Sequence, residues 1–243
     1  MKSEERHHIK QDELLTGFER AAHWVGTHRD ETRITLLALA VVALAALGLS
    51  TWRSHQHQAS EKSFSDALRL FHAPVSSEIA PGAPAPSGTV FATVQERYTK
   101  AREAFDGVAR EYGSTRAGRR ARYYMALCDV ELGNHVAAEK ALSELAASKD
   151  DETVAGLARL ALAETHRRRG QVDQAVAAFT KLVEEKTTAV PADHALMRLA
   201  ATLEDARRTA EASRAYKRLA DEFPTSVYAA EARRKADHLG SRG

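Results

Sequence analysis

The apolar and polar positions divide this chain into stretches of different rhythm. From Ile34 to Ser50 it reads ITLLALAVVALAALGLS, uncharged throughout and bracketed by Arg33 and Arg53. At about 1.5 Å per residue that run spans roughly 26 Å, and Thr51 and Trp52 bring it close to the roughly 30 Å hydrocarbon core of a bilayer. A transmembrane helix over 34–52 is therefore predicted, with Trp52 at the interface and both arginines able to reach the headgroups. A cleaved leader fits less well, because the residues before the run are rich in Asp and Glu where a signal peptide is short and basic. Within that polar 1–33 tail, Leu14, Phe18, Ala21 and Val25 recur at helical spacing and predict a short amphipathic helix.

Beyond the span, residues 53–71 read as a helix continuing from the anchor, with Ala59, Ser63, Ala67 and Phe71 on one face. Residues 72–92, HAPVSSEIAPGAPAPSGTVFA, hold four of the chain's six prolines and predict a long, mobile loop. A helix from 93 to 112 is expected to pair back on 55–71. From there to residue 243 the informative pattern is self-similarity at a shift of 37. Ala101, Ala138, Ala175 and Ala212 share one register. Four residues on lie Phe105, Leu142, Phe179 and Tyr216, and three further Val108, Leu145, Leu182 and Leu219. In the preceding helices Met125, Leu162 and Leu199 align, each followed by an alanine. Gly133 and Gly170 close two hairpin turns, and Arg207 holds the third equivalent position.

Small residues let two helices of a hairpin approach closely, and the large ones fill the gap to the next hairpin, so one unit cannot bury its own face and the units must stack. The grid resembles the tetratricopeptide repeat over residues 94–239, with three residues more per repeat and a departure at Arg207. It implies an all-α fold: a single transmembrane helix followed by a right-handed solenoid of helical hairpins over 93–243. Three full hairpins are expected near 116–148, 151–186 and 191–223, with a capping helix over 225–239. Glu111 to Thr115 and Glu222 to Ser226 each read as a helix end, a breaker and an N-cap.

Composition agrees, since Ala, Leu, Arg and Glu dominate and aromatics are only 6%. The net charge of +2 lacks the clustered basic face of a nucleic-acid binder. Cys128 is the only cysteine, so neither an intramolecular disulfide nor a lipoprotein anchor is available, and its apolar neighbours read it as a packed small hydrophobe. His7, His8, His23 and His28 show no recognised ligand spacing, and His55 and His57 fall on different helix faces, so no metal or cofactor is expected. Arg167, Arg168 and Arg169 end a helix whose C-terminal dipole favours positive charge. No phosphate loop, nucleophile elbow or convergent acid–base set is present, so the chain reads as a non-enzyme.

An N-terminal anchor, a linker and then tetratricopeptide hairpins resemble the YfgM-like family, the ancillary subunit of the bacterial SecYEG translocon. That resemblance implies a scaffold in the bacterial inner membrane, with the C-terminal domain in the periplasm, which assists exported proteins as a chaperone-like partner of the translocon. The alternative is a membrane-tethered assembly or structural subunit of another envelope or respiratory complex. Lys2, Arg6, Lys10, Arg20, Arg29 and Arg33 before the span outweigh Arg53, Lys62 and Arg69 after it, favouring a cytoplasmic N-terminus. In tetratricopeptide arrays the first helix of each hairpin lines the concave groove. Carried onto this register, the resemblance implies protein binding through Arg120, Tyr123, Leu127, Leu157, Leu160, Glu164, Arg167, His194, Met197 and Ala201. These are mainly apolar and lack the lysine and asparagine pattern by which chaperone-clamp arrays hold a C-terminal carboxylate, so an apolar or helical segment is the expected partner.

Overall fold

The computed structural model describes residues 29–79, 88–185 and 187–241. The amphipathic stretch from Leu14 to Val25 and the histidines at 7, 8, 23 and 28 lie outside them. The chain divides into two units, Met1–Gln56 and His57–Gly243. Among the described residues there are nine α-helices: α1 (Arg29–Phe71), α2 (Val94–Glu111), α3 (Arg116–Glu131), α4 (His135–Ala147), α5 (Glu152–Arg168), α6 (Val172–Glu185), α7 (Ala192–Asp205), α8 (Thr209–Glu222) and α9 (Ala229–Gly240).

In the first unit α1 is long and apolar enough to cross a membrane. Its apolar side chains find no protein to bury them: Leu37 is 67% exposed, Leu44 68% and Trp52 60%. Leucines on every side of one helix, all bare, are what a lipid environment accommodates and water does not.

In the second unit each helix packs on the next, and α3 also touches α5. The repeat grid is the core. Ala101, Ala138, Ala175 and Ala212 are buried, as are Phe105, Leu142, Phe179 and Tyr216. Val108, Leu182 and Leu219 are buried too, whereas Leu145 stays half-exposed beside a cleft of about 430 Å³. That copy is the loosest because its large position is Leu142 where the others carry an aromatic ring. Only Ala126, Leu142 and Ala158 form its buried cluster. A smaller cleft of about 270 Å³ lies one repeat later, with Arg159 and Leu162 in the places of Arg122 and Met125. In the third copy the position of these arginines holds the buried Leu196.

The α1–α2 pairing is made by rings. Phe64 lies 5.7 Å from Phe105 and 5.6 Å from Tyr124, and Phe105 stacks on Tyr124 at 5.1 Å. The buried face of α1 here is Ser60, Phe64 and Ala67. This shifts the expected face by one residue at two positions: Ala59 is exposed and Ser63 half-buried. Ring packing by Phe64 outweighs the small-residue pattern, because an aromatic buries far more apolar area than Ala or Ser.

The stretch 72–92 is likewise more built than a mobile loop. Val75 and Phe91 form a parallel bridge, the Ser76 amide donates to Phe91 O at 2.9 Å and the Phe91 amide to Pro74 O at 3.1 Å. Arg97 donates to Ala73 O at 3.2 Å and pairs with Glu78 at 3.3 Å. Residues 80–87 lie outside the described residues.

Local signals account for the helix ends. Thr93, Thr115 and Asp151 accept from the amides of Glu96, Gly118 and Val154 at 3.0, 3.1 and 3.1 Å, capping α2, α3 and α5. The capping helix starts later than expected, at Ala229. Ser226 is engaged elsewhere, donating to Asp193 Oδ2 on α7 at 2.6 Å and accepting from the Tyr228 amide at 3.2 Å. The three hairpin turns share one geometry. Gly133, Gly170 and Arg207 have φ of 78°, 70° and 58°, so an arginine occupies the left-handed conformation that favours glycine.

Candidate protein-binding groove

The ten residues singled out for the groove lie on α3, α5 and α7, the first helices of successive hairpins. All ten are half-exposed. They follow the 3- and 4-residue steps that keep side chains on one helix face: Arg120, Tyr123 and Leu127 on α3, Leu157, Leu160, Glu164 and Arg167 on α5, His194, Met197 and Ala201 on α7. The buried positions of those helices, such as Ala126, Ala163 and Ala200, fall on other faces.

These residues divide into three kinds. Tyr123, Leu160 and Met197 also pack against buried clusters, so they belong to the core as well as to the candidate face. Leu127 and Leu157 take part in none of those clusters and offer apolar surface alone. The charged members are tied to other parts of the protein. Arg120 pairs with Glu61 at 3.2 Å and lies 4.0 Å over the ring of Phe64. Arg167 pairs with Glu164 at 3.0 Å and with Asp205 at 3.4 Å, and Arg198 donates to the other oxygen of Glu164. Burial pushes the Glu164 carboxyl up, but the hydrogen bonds from Arg198 and Arg167 outweigh it and hold the group below the usual carboxylate range.

The flanking charges are paired as well. Arg168 meets Glu131 at 2.6 Å, and Arg169 meets Glu139. The arginine triplet thus stitches repeats together: Arg168 and Arg169 reach back to the preceding hairpin and Arg167 reaches forward to the following one. Glu204 accepts from Lys235 and from the Tyr216 hydroxyl, both at 2.7 Å. At the far end His194 stacks on Tyr228 at 6.0 Å. Burial pushes the Tyr123 phenol up to about 12, and among the described residues its hydroxyl has no hydrogen-bond partner.

Sequence reasoning missed Glu61, Arg198 and Tyr228, which fix Arg120, Glu164 and His194. No spacing within a single helix marks them. Glu164 and Arg198, like His194 and Tyr228, stand 34 residues apart, so only a near-repeat separation signals the pairing. Cys128 is buried and its thiol is pushed up to about 12 by that burial, which suits packing and not nucleophilic chemistry.

A stack of helical hairpins whose small residues pack inward and whose first helices keep a half-exposed stripe is a repeat solenoid of the kind that binds proteins. The chain belongs to the tetratricopeptide repeat-like domain family, whose model matches residues 28–195, and a tetratricopeptide repeat model matches residues 194–226. No curated protein matches it. Among solved structures it is similar to a crystal structure of the nearly identical TPR-like repeats of a Podosopora anserina protein described as a kinesin light chain, in a form carrying a single substitution. Identity there is 12% over 76% of this chain and 86% of that chain, with a TM-score of 0.53. A further structure of those repeats aligns at 11% identity over 76% and 84%, with a TM-score of 0.49. At such identities the likeness concerns the fold. Proteins of this fold are typically non-catalytic interaction scaffolds, and its repeats make this chain a protein–protein interaction scaffold.

Proposed function

We propose that this protein is a single-pass scaffold of a bacterial inner membrane, anchored by residues 34–52, with its N-terminus cytoplasmic and its repeats periplasmic. The repeats take an apolar or helical protein segment into the groove formed by Arg120, Tyr123, Leu127, Leu157, Leu160, Glu164, Arg167, His194, Met197 and Ala201. The protein serves the export translocon as a chaperone-like ancillary subunit. The observation that carries the binding reading is the half-exposure of all ten positions on three equivalent helices. Bare leucines along α1 support the anchor, and the excess of Lys and Arg before the span supports the orientation. The order of anchor, linker and repeats supports the translocon reading.

Purification of the tagged full chain from membranes in mild detergent tests the partner. Recovery of translocon subunits is the expected result. Recovery of a different envelope or respiratory complex would assign the scaffold to that assembly instead. For orientation, Ser241→Cys in a Cys128→Ala background is expected to react with a membrane-impermeant thiol reagent in intact spheroplasts. Labelling only after lysis would invert the topology.

A further inference from the structure

We propose that the groove selects an uncharged apolar stretch of its protein partner, because the charged members of its stripe, Arg120, Glu164 and Arg167, are each paired from within. This rests on the groove reading above and adds what the groove rejects. Arg120 is held by Glu61, Glu164 by Arg167 and Arg198, Arg167 also by Asp205, Arg168 by Glu131, and Glu204 by Lys235. Most of these pairs join different helices, so each of those also braces the stack. A partner carboxylate that approached Arg167 or Arg198 would compete with Glu164 for hydrogen bonds already made, and it would lose its own hydration on entry. A partner ammonium faces the same balance at Glu164 and Glu204. What stays open is apolar, Leu127 and Leu157 above all, together with the unpartnered Tyr123 hydroxyl. That hydroxyl donates equally well to the main-chain carbonyl of any sequence, so it gives grip without reading charge. The surface is complementary to a segment whose side chains are apolar and whose polar groups are those of its backbone.

The test uses the full chain in nanodiscs of phosphatidylcholine, with empty discs as the blank. The probe is a short fluorescent peptide of Leu, Ala, Gln and Ser, with sister peptides in which leucines are replaced by Asp or by Lys. The uncharged peptide is expected to bind with a Kd that changes by less than about twofold between about 0.05 and 0.5 M salt, a range that strongly screens exposed charges. Both charged sisters are expected to bind at least about tenfold more weakly. Leu127→Asp and Leu157→Asp are expected to abolish binding while the helical melting transition stays in place. If those two variants bind the uncharged peptide as well as the parent, the groove reading itself falls, and the proposal with it. If they abolish binding but a charged sister binds as tightly as the uncharged peptide, or the Kd rises steeply with salt, the groove stands and the proposal is overturned. Absence of binding by the uncharged peptide overturns it as well.

Discussion

Replacing Arg207 by glycine is expected to stabilise the repeat domain, and the gain can be worked from the three equivalent turns. At each turn the chain leaves the first helix through a residue with positive φ, at 78°, 70° and 58° for Gly133, Gly170 and Arg207. Hydrogen bonding is the same throughout. The Arg207 amide donates to Glu204 O and the Arg208 amide to Leu203 O, both at 2.9 Å. Gly170 and Gln171 donate to Arg167 and His166 at 3.0 and 2.9 Å. A side chain in the left-handed region costs roughly 1–2 kcal/mol through contact of Cβ with the carbonyl. The Arg207 side chain is exposed and forms no ion pair among the described residues, so its removal forfeits little. Glycine restores freedom to the unfolded chain, which offsets about 0.4–1 kcal/mol. The net gain is about 0.5–1 kcal/mol, or a rise in Tm of about 1–4 °C for a domain of this size. Gly170→Ala is the reciprocal change. A Cβ there meets nothing within 4 Å, so its expected loss of similar size is conformational alone. Far-UV circular dichroism melts of the full chain in detergent read both. A fall in Tm for Arg207→Gly would refute the shared-turn argument.

Gly118→Ala is expected to be severe, at least about 3 kcal/mol, because its Cβ would collide with the carbonyl of Tyr112, a backbone group that cannot swing away. The same melts would show it. Ala175→Leu overpacks a fully buried contact between helices and is expected to cost about 1–3 kcal/mol, whereas Gln174→Leu, on the exposed side of α6, should shift the melt far less. In hydrogen exchange α4 is expected to lose protection before α6 and α8, since its cluster is the smallest and Leu145 is half-exposed; equal protection would contradict that weakness. Glu164 is held below its unfolded value, so its contribution is complete above roughly pH 4.3 and is lost as pH falls through the lower folded value. Glu164→Gln is therefore expected to flatten the acid limb of a pH–stability profile, and an unchanged limb would dismiss the pairing as energetically idle.

Much of the fold was legible in the sequence because its causes are local or periodic. An uncharged run of bilayer length makes α1 long and apolar enough to cross a membrane, a property that needs no other part of the chain. A recurrence of small, large and aliphatic residues at a shift of 37 identifies stacked hairpins, since each copy meets the same packing requirement. Helical spacing also placed the ten candidate positions on one face of each first helix. What the sequence left open are contacts between residues far apart along the chain, where burial competes with charge. Tertiary packing put Phe64 in the core in preference to Ser63 and tied both ends of the stretch expected to be a mobile loop. It turned Arg167, Arg168 and Arg169 from a basic run into braces between repeats and paired Arg120 and Glu164 with partners on other helices. At Arg207 it imposed a glycine conformation on an arginine, because the energy of closing the same turn in every repeat exceeds the strain at one residue.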